Sequence, residues 1–209
     1  MNAPYAVLIG LPGSGKSTVG RALSARVGVS FRDTDEDVEQ TTGRSIADLF
    51  AWEGERRFRE LEREAVAAAL AEHRGVLALG GGAVLDPLTR ARLAGRNVVH
   101  LRADPAQLAD RLRGDTTRPL LTGAGQGRLN ELARTRTPLY ERLARVSVAT
   151  AGRTPDAVAD AVVRSLGSLG PGVGRAQGLG VQTRAAVGAH VQGEQHRGHD
   201  DRGDHMAQE

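Results

Sequence analysis

The sequence predicts an α/β fold, a parallel sheet with helices on both faces, from three observations. Short apolar runs alternate with stretches of helical periodicity through most of the chain. The first apolar run ends in a glycine-rich loop that leads straight into a helix. Three later helices announce themselves by an N-cap residue followed by proline, at Asp86-Pro87, Asp104-Pro105 and Thr154-Pro155.

Residues 5–9, Tyr5-Ala6-Val7-Leu8-Ile9, read as a buried strand stopped by Gly10. The loop after it, Gly10-Leu11-Pro12-Gly13-Ser14-Gly15-Lys16-Ser17-Thr18, has the G-x-x-x-x-G-K-[ST] pattern of a phosphate cradle. Val19, Leu23 and Val27 then recur every four positions and predict a helix that Gly28 ends. A phosphate in this loop meets the amides and the positive dipole end of that helix. Gly13 and Gly15 allow the tight path, Ser14 and Thr18 complete the nucleotide-binding stretch, and the Ser17 hydroxyl can ligate Mg²⁺. Lys16 is the single lysine among 28 Lys and Arg residues. A compact ammonium on a thin stem fits beside the β- and γ-phosphates, where a guanidinium is too wide. Strand, loop and helix together predict that the chain binds a nucleoside triphosphate.

Residues 29–32 form a second strand, with Asp33-Thr34-Asp35 at its end. Carboxylates at i and i+2 on a strand point the same way. One can support Mg²⁺ while the other takes a hydrogen bond or a proton from a substrate hydroxyl, and Asp35 can also cap the next helix. About 40 residues without a strand signal follow, more than a simple crossover needs. They divide into a helix over 35–43, a second opened by the box Ser45-x-x-Asp48 and closed by Gly54, and a third from Glu55 to about His73. The third carries Arg59 and has Phe58, Leu61, Ala65 and Ala69 along one side. This insertion, 34–73, stands at the carboxyl edge of the sheet, where a substrate-binding subdomain belongs.

Residues 76–79 are the third strand, followed by Gly80-Gly81-Gly82-Ala83, bare backbone whose amides can bond a ligand. Leu77-Ala78-Leu79-Gly80 lacks the aspartate that motor ATPases carry there, and no Asn-Lys-x-Asp guanine signature occurs, which argues against motor ATPases and GTPases. Residues 97–101 are the fourth strand. The aperiodic stretch 113–127, with Arg118-Pro119, lies between two helices and reads as a mobile lid. Arg136 precedes Pro138 at the lid's far end. Arg59 and Arg136 can each pair bidentately with a carboxylate. Val146–Ala149 is the fifth strand, and Val158, Val162 and Leu166 space out a last helix over 154–166. From Ser168 onward Gly, Gln, His, Arg and Asp dominate without a period, so 1–167 is expected to be the domain and 168–209 a disordered tail.

The chain has no cysteine, which suits a reducing cytoplasm, and its N-terminus runs directly into a strand. No apolar run approaches the roughly 20 residues of a membrane span. The pI near 10.1 reflects arginine chemistry more than excess charge, since the net charge is +3. With 3% aromatic residues and no stacking pattern, nucleic-acid binding is not expected.

Taken in order, the nine-residue loop 10–18, Asp33-Thr34-Asp35, Gly43-Arg44-Ser45-Ile46, Phe58-Arg59, Gly80-Gly81-Gly82-Ala83, Arg118-Pro119-Leu120-Leu121 and Arg136-Thr137-Pro138-Leu139-Tyr140 resemble the shikimate kinases at their spacings, most nearly the actinobacterial forms. The likeness runs from residue 5 to about 167. It implies a P-loop NTPase fold of the nucleoside-monophosphate-kinase kind, with strand order 2-3-1-4-5, and transfer of the ATP γ-phosphate to the 3-hydroxyl of shikimate on the way to aromatic amino acids. It further implies catalytic roles for Lys16, Asp35 and Arg118, and Mg²⁺ held by Ser17 with Asp33 assisting through water. Arg111 and Arg153 would flank the adenine, and Arg59, Arg136, Asp35 and the amides of Gly80, Gly81 and Gly82 would hold shikimate. The expected partners are small molecules only, for a cytoplasmic monomer. A gluconate-type kinase, or a nucleotide-gated regulatory protein that has lost the chemistry, are the other readings. Degeneration would be expected to remove Lys16, Asp35 or Arg118, and all are in place.

Overall fold

A computed structural model of the chain describes residues 3–111 and 125–169. Five strands, β1 (Ala6–Ile9), β2 (Phe31–Asp33), β3 (Val76–Ala78), β4 (Val98–Arg102) and β5 (Val146–Ala149), form one sheet in the order β2-β3-β1-β4-β5. All neighbouring pairs are parallel, and central β1 sets Ala6 opposite Val76 and Val7 opposite Val98. Every residue of β1 and β3 is buried. A strand covered on both faces has no polar side, so these read as unbroken apolar runs.

Successive residues still serve opposite layers. Val7, Ile9, Leu77 and Val98 join a core with α4 (Gly54–Glu72), α5 (Pro87–Leu93), α6 (Pro105–Arg111) and α7 (Gly125–Leu143). Ala6, Leu8, Val76, Val99 and Leu101 join the other, with α1 (Lys16–Val27) and α8 (Pro155–Ser168). The predicted caps form: the Asp86 carboxylate accepts from the Thr89 amide at 2.6 Å, Asp104 from Ala106 at 2.9 Å and Thr154 from Ala157 at 3.2 Å.

Between β2 and β3 stand α2 (Thr34–Thr42), α3 (Ile46–Trp52) and α4. They share a small core of Val38, Leu49 and Phe58, with the Phe50 and Phe58 rings 4.7 Å apart. The Ser45–Asp48 box opens α3: the Asp48 amide donates to Ser45 Oγ at 3.1 Å, and the hydroxyl donates back to the carboxylate at 2.6 Å.

Several boundaries differ from expectation. β2 starts at Phe31, not at residue 29, because the Val29 amide donates to the Ser24 carbonyl and is spent closing α1. Gly54 does not close α3; that helix ends at Glu53, and Gly54, at φ +79°, turns the chain into α4. Residues 125–127, expected in the lid, are the first turn of α7. α8 runs on to Ser168, and the Leu169 carbonyl accepts from Arg145 at 3.1 Å. The rest of the expected lid, with Arg118, and the tail from residue 170 lie outside the described residues.

Candidate active site

The site forms where β1, β2 and β3 end. Beyond Ile9 the chain turns at Gly10, at φ +152°, where a Cβ would strike the Leu101 carbonyl oxygen at 2.6 Å. Gly13 and Gly15 follow at φ +78° and +89°. Gly15 is the N-cap of α1 and no side chain among the described residues caps the helix, so its first turn presents backbone to an anion. The Lys16 ammonium, only 9% exposed, donates to the carbonyls of Gly10 and Leu11 at 3.1 Å each, which holds it over the loop. Ser14 is buried, and among the described residues its Oγ has no hydrogen-bond partner, a polar atom in a loop whose pattern calls for phosphate.

Ser17 Oγ donates to Asp33 Oδ2 at 2.6 Å, and Asp33 Oδ1 accepts from the Asp35 amide at 3.0 Å. Asp33 is thus the N-cap of α2, and Asp35 is not. The helix begins at Thr34, so the strand rule placing both carboxylates on one side does not apply. Asp33 turns to Ser17, and Asp35 to the glycine turn after β3. Among the described residues no three His, Cys, Asp or Glu side chains gather into a metal cage. Mg²⁺ rarely needs one, since it takes one or two protein oxygens together with phosphate and water. Ser17 Oγ and the Asp33 carboxylate are oxygens of that kind, and they fit the ion.

The three glycines are explained by what presses on them. A Cβ at Gly80 would collide with the carboxylates of Asp35 and Glu62, and one at Gly82 with the Arg59 guanidinium. At Gly81 it would come within 3.0 Å of the Pro12 ring, in the phosphate loop. The Gly80 amide donates to Thr34 Oγ1 at 3.1 Å. That corrects its expected role, because this amide secures the turn to α2 and is committed within the protein.

Arg59 reaches the turn from α4, bonded to Glu62 at 2.6 Å and to Glu55 at 3.0 Å. Glu62 was missed in the sequence. The buried side of α4 is Phe58, Glu62, Val66, Ala69 and Leu70, displaced from the expected stripe, and Leu61 and Ala65 only border the insertion's core. The signal was present: an acid three residues after Arg59, in step with Phe58 and Val66. Burial pushes the Glu62 carboxyl up, while Arg59 and Arg136 pull it down. For Arg59, burial opposes the charge, but Glu62 and Glu55 outweigh it and hold the guanidinium above its ordinary value.

Arg136, on α7, is 4% exposed. Burial is the main influence lowering its pKa and Arg59 adds to it, with Tyr140 and Glu62 opposing; an arginine stays charged regardless. The structure therefore brings Asp35, Arg59, Glu62 and Arg136 around one turn of bare backbone. A cavity of about 350 Å³ opens beside Arg59, Glu62 and Gly82 and runs toward Asp86 and Thr89. Tyr140 is the second residue the sequence did not single out. It is fully buried, its hydroxyl donates to the Gly81 carbonyl at 2.6 Å, and burial raises its pKa to about 12. Arg153 braces the turn before α8, donating to the carbonyls of Ala157 at 2.8 Å and Ala149 at 3.5 Å. Arg111 ends α6.

Residues 12–167 match the family model for shikimate kinase. A shikimate kinase of Thermobifida fusca is 50% identical over 167 residues, 80% of this chain and 97% of that protein. One of Mycobacterium avium is 52% identical over 165 residues, covering 78% and 94%. Among solved structures, the shikimate kinase of Acinetobacter baumannii in complex with shikimate superposes with a TM-score of 0.77 at 33% identity, covering 79% of this chain and 94% of that one.

Proposed function

The chain belongs to the shikimate kinase family, and on that premise we propose how its residues move the ATP γ-phosphoryl group to the 3-hydroxyl of shikimate. The observation that carries the reading is the gathering of Asp35, Arg59, Glu62 and Arg136 about Gly80–Gly82, with Gly81 packed against Pro12 of the phosphate loop. Lys16 and the first turn of α1 hold the β- and γ-phosphates and stabilise the charge of the transferring group. Ser17 Oγ would hold Mg²⁺, with Asp33 assisting through water, and the bound ion would neutralise phosphate charge. Asp35 orients the acceptor hydroxyl and takes its proton as the new P–O bond forms. Arg59 and Arg136 pair with the shikimate carboxylate, and Glu62 keeps Arg59 against Gly82. Arg118 supplies positive charge over the phosphates from the lid, and Arg111 and Arg153 border the adenine.

Gluconate also carries a carboxylate, so two arginines alone do not separate the acceptors; family membership does. Among the described residues no helix is long and apolar enough to cross a membrane. A cytoplasmic monomer acting on small molecules, with neither membrane nor nucleic-acid partner, completes the proposal. An ADP-release assay with shikimate, with gluconate and without acceptor tests it. ADP should appear at a substantial rate only with shikimate. Equal or faster release with gluconate, or release independent of acceptor, contradicts it.

A further inference from the structure

We propose that Tyr140 is a positioning residue for the acceptor: its hydroxyl ties α7 to the glycine turn and so sets the place of Arg136 relative to Arg59. The inference rests on the reading of these arginines as the grip on a carboxylate.

The Tyr140 hydroxyl donates to the Gly81 carbonyl at 2.6 Å across 59 positions of sequence. Tyr140 follows Arg136 by one turn of α7, so phenol and guanidinium share a face of the helix. Pro138 stands between them, inside the helix. It has no N–H for the carbonyl four residues back, so this turn of α7 lacks one of its own bonds and depends more on contacts from outside. The Gly81 bond is such a contact. On the Gly81 side the turn is backed by Pro12, and the next residue, Gly82, is the one Arg59 lies against. The His100 ring, 5.1 Å from the Tyr140 ring, packs against the phenol. One hydroxyl thus joins the helix that carries Arg136 to the turn that seats Arg59. Without it the Gly81 carbonyl loses a buried donor and α7 is free to shift.

Tyr140→Phe removes that oxygen and keeps the ring. Steady-state kinetics on Tyr140→Phe, Arg136→Ala and the double variant should show the shikimate KM rising about tenfold in Tyr140→Phe, with the ATP KM within about twofold of wild type. In the Arg136→Ala background the same change should add less than about twofold, because the group it positions is gone. A Tyr140→Phe protein too unstable at 25 °C is assayed at 10 °C in saturating ATP, which raises its folded fraction by mass action. A lower thermal midpoint with both KM values unchanged overturns the proposal, as does an equal rise in the ATP KM or a full effect in the Arg136→Ala background. If Arg136→Ala itself leaves the shikimate KM unchanged, the carboxylate grip fails as well. If only Tyr140→Phe is silent, the grip stands and the positioning role alone falls.

Discussion

In the proposed reading, the nucleotide side of the cleft draws its cradle from one stretch, residues 10–18, while the acceptor side gathers Asp35, Arg59, Glu62, Gly80–Gly82, Arg136 and Tyr140 from separate elements. The two sides also use different physics. The phosphate loop works through backbone: Gly10, Gly13 and Gly15 at positive φ, an uncapped helix end, and one ammonium held on two carbonyls. The acceptor side works through charge, with two carboxylates and the Arg59 guanidinium pressed onto glycines that have no side chain to keep them away. Backbone recognition is local and survives many side-chain changes. Charge recognition is assembled by the fold, and each member is exposed to single substitutions that leave the other side untouched.

The largest effect that should split the two sides is at Asp35. Asp35→Asn keeps the shape and removes the proposed proton acceptor, so kcat should fall about 10²–10⁴-fold while ATP binding is retained. Turnover above about a tenth of wild type would reduce Asp35 to orienting the hydroxyl. Loss of ATP binding in step with kcat would mean that the two sides are not separable.

His100 lies between the sides, in β4, with its ring against Tyr140 and its charge opposed by Arg102 and Lys16. It is 2% exposed, and burial first, then those two cations, brings its pKa down from 6.5 to about 4. The unfolded chain takes up this proton as pH falls below about 6.5, and the folded chain does not until about 4. Its contribution to stability is therefore full above that window and is lost as pH falls through it. His100→Leu should flatten this part of the profile, making the fall in Tm from about pH 7 to pH 4.5 smaller than in wild type by a few degrees. Parallel profiles would show that the imidazole is not held neutral.

The same contrast explains how much could be read from the sequence. The sheet was legible because its central strands are buried on both faces, and the phosphate loop because its chemistry is contiguous. The glycine run was legible as an unusual turn, but its cause was not: the obstacles to a Cβ come from Pro12 in the phosphate loop and from α2 and α4, all distant in sequence. Glu62 is hidden from an apolar-stripe reading of α4 because the buried face includes a carboxylate, offset by Arg59 and Arg136. In the sequence Tyr140 stands only at the end of a motif. Its role depends on a carbonyl in another layer of the fold, which no periodicity within α7 reveals.

The claim that the acceptor side recognises a carboxylate through buried charge is tested most directly by comparing shikimate with its methyl ester on wild type and on Arg59→Ala. A charge-assisted bond to a carboxylate contributes about 1.5–3 kcal/mol, roughly 10- to 150-fold. Wild type should prefer shikimate to the ester by at least about tenfold in kcat/KM, and Arg59→Ala should lose most of that preference, with its ATP KM unchanged. Equal use of acid and ester by wild type, or an undiminished preference in Arg59→Ala, would contradict the account.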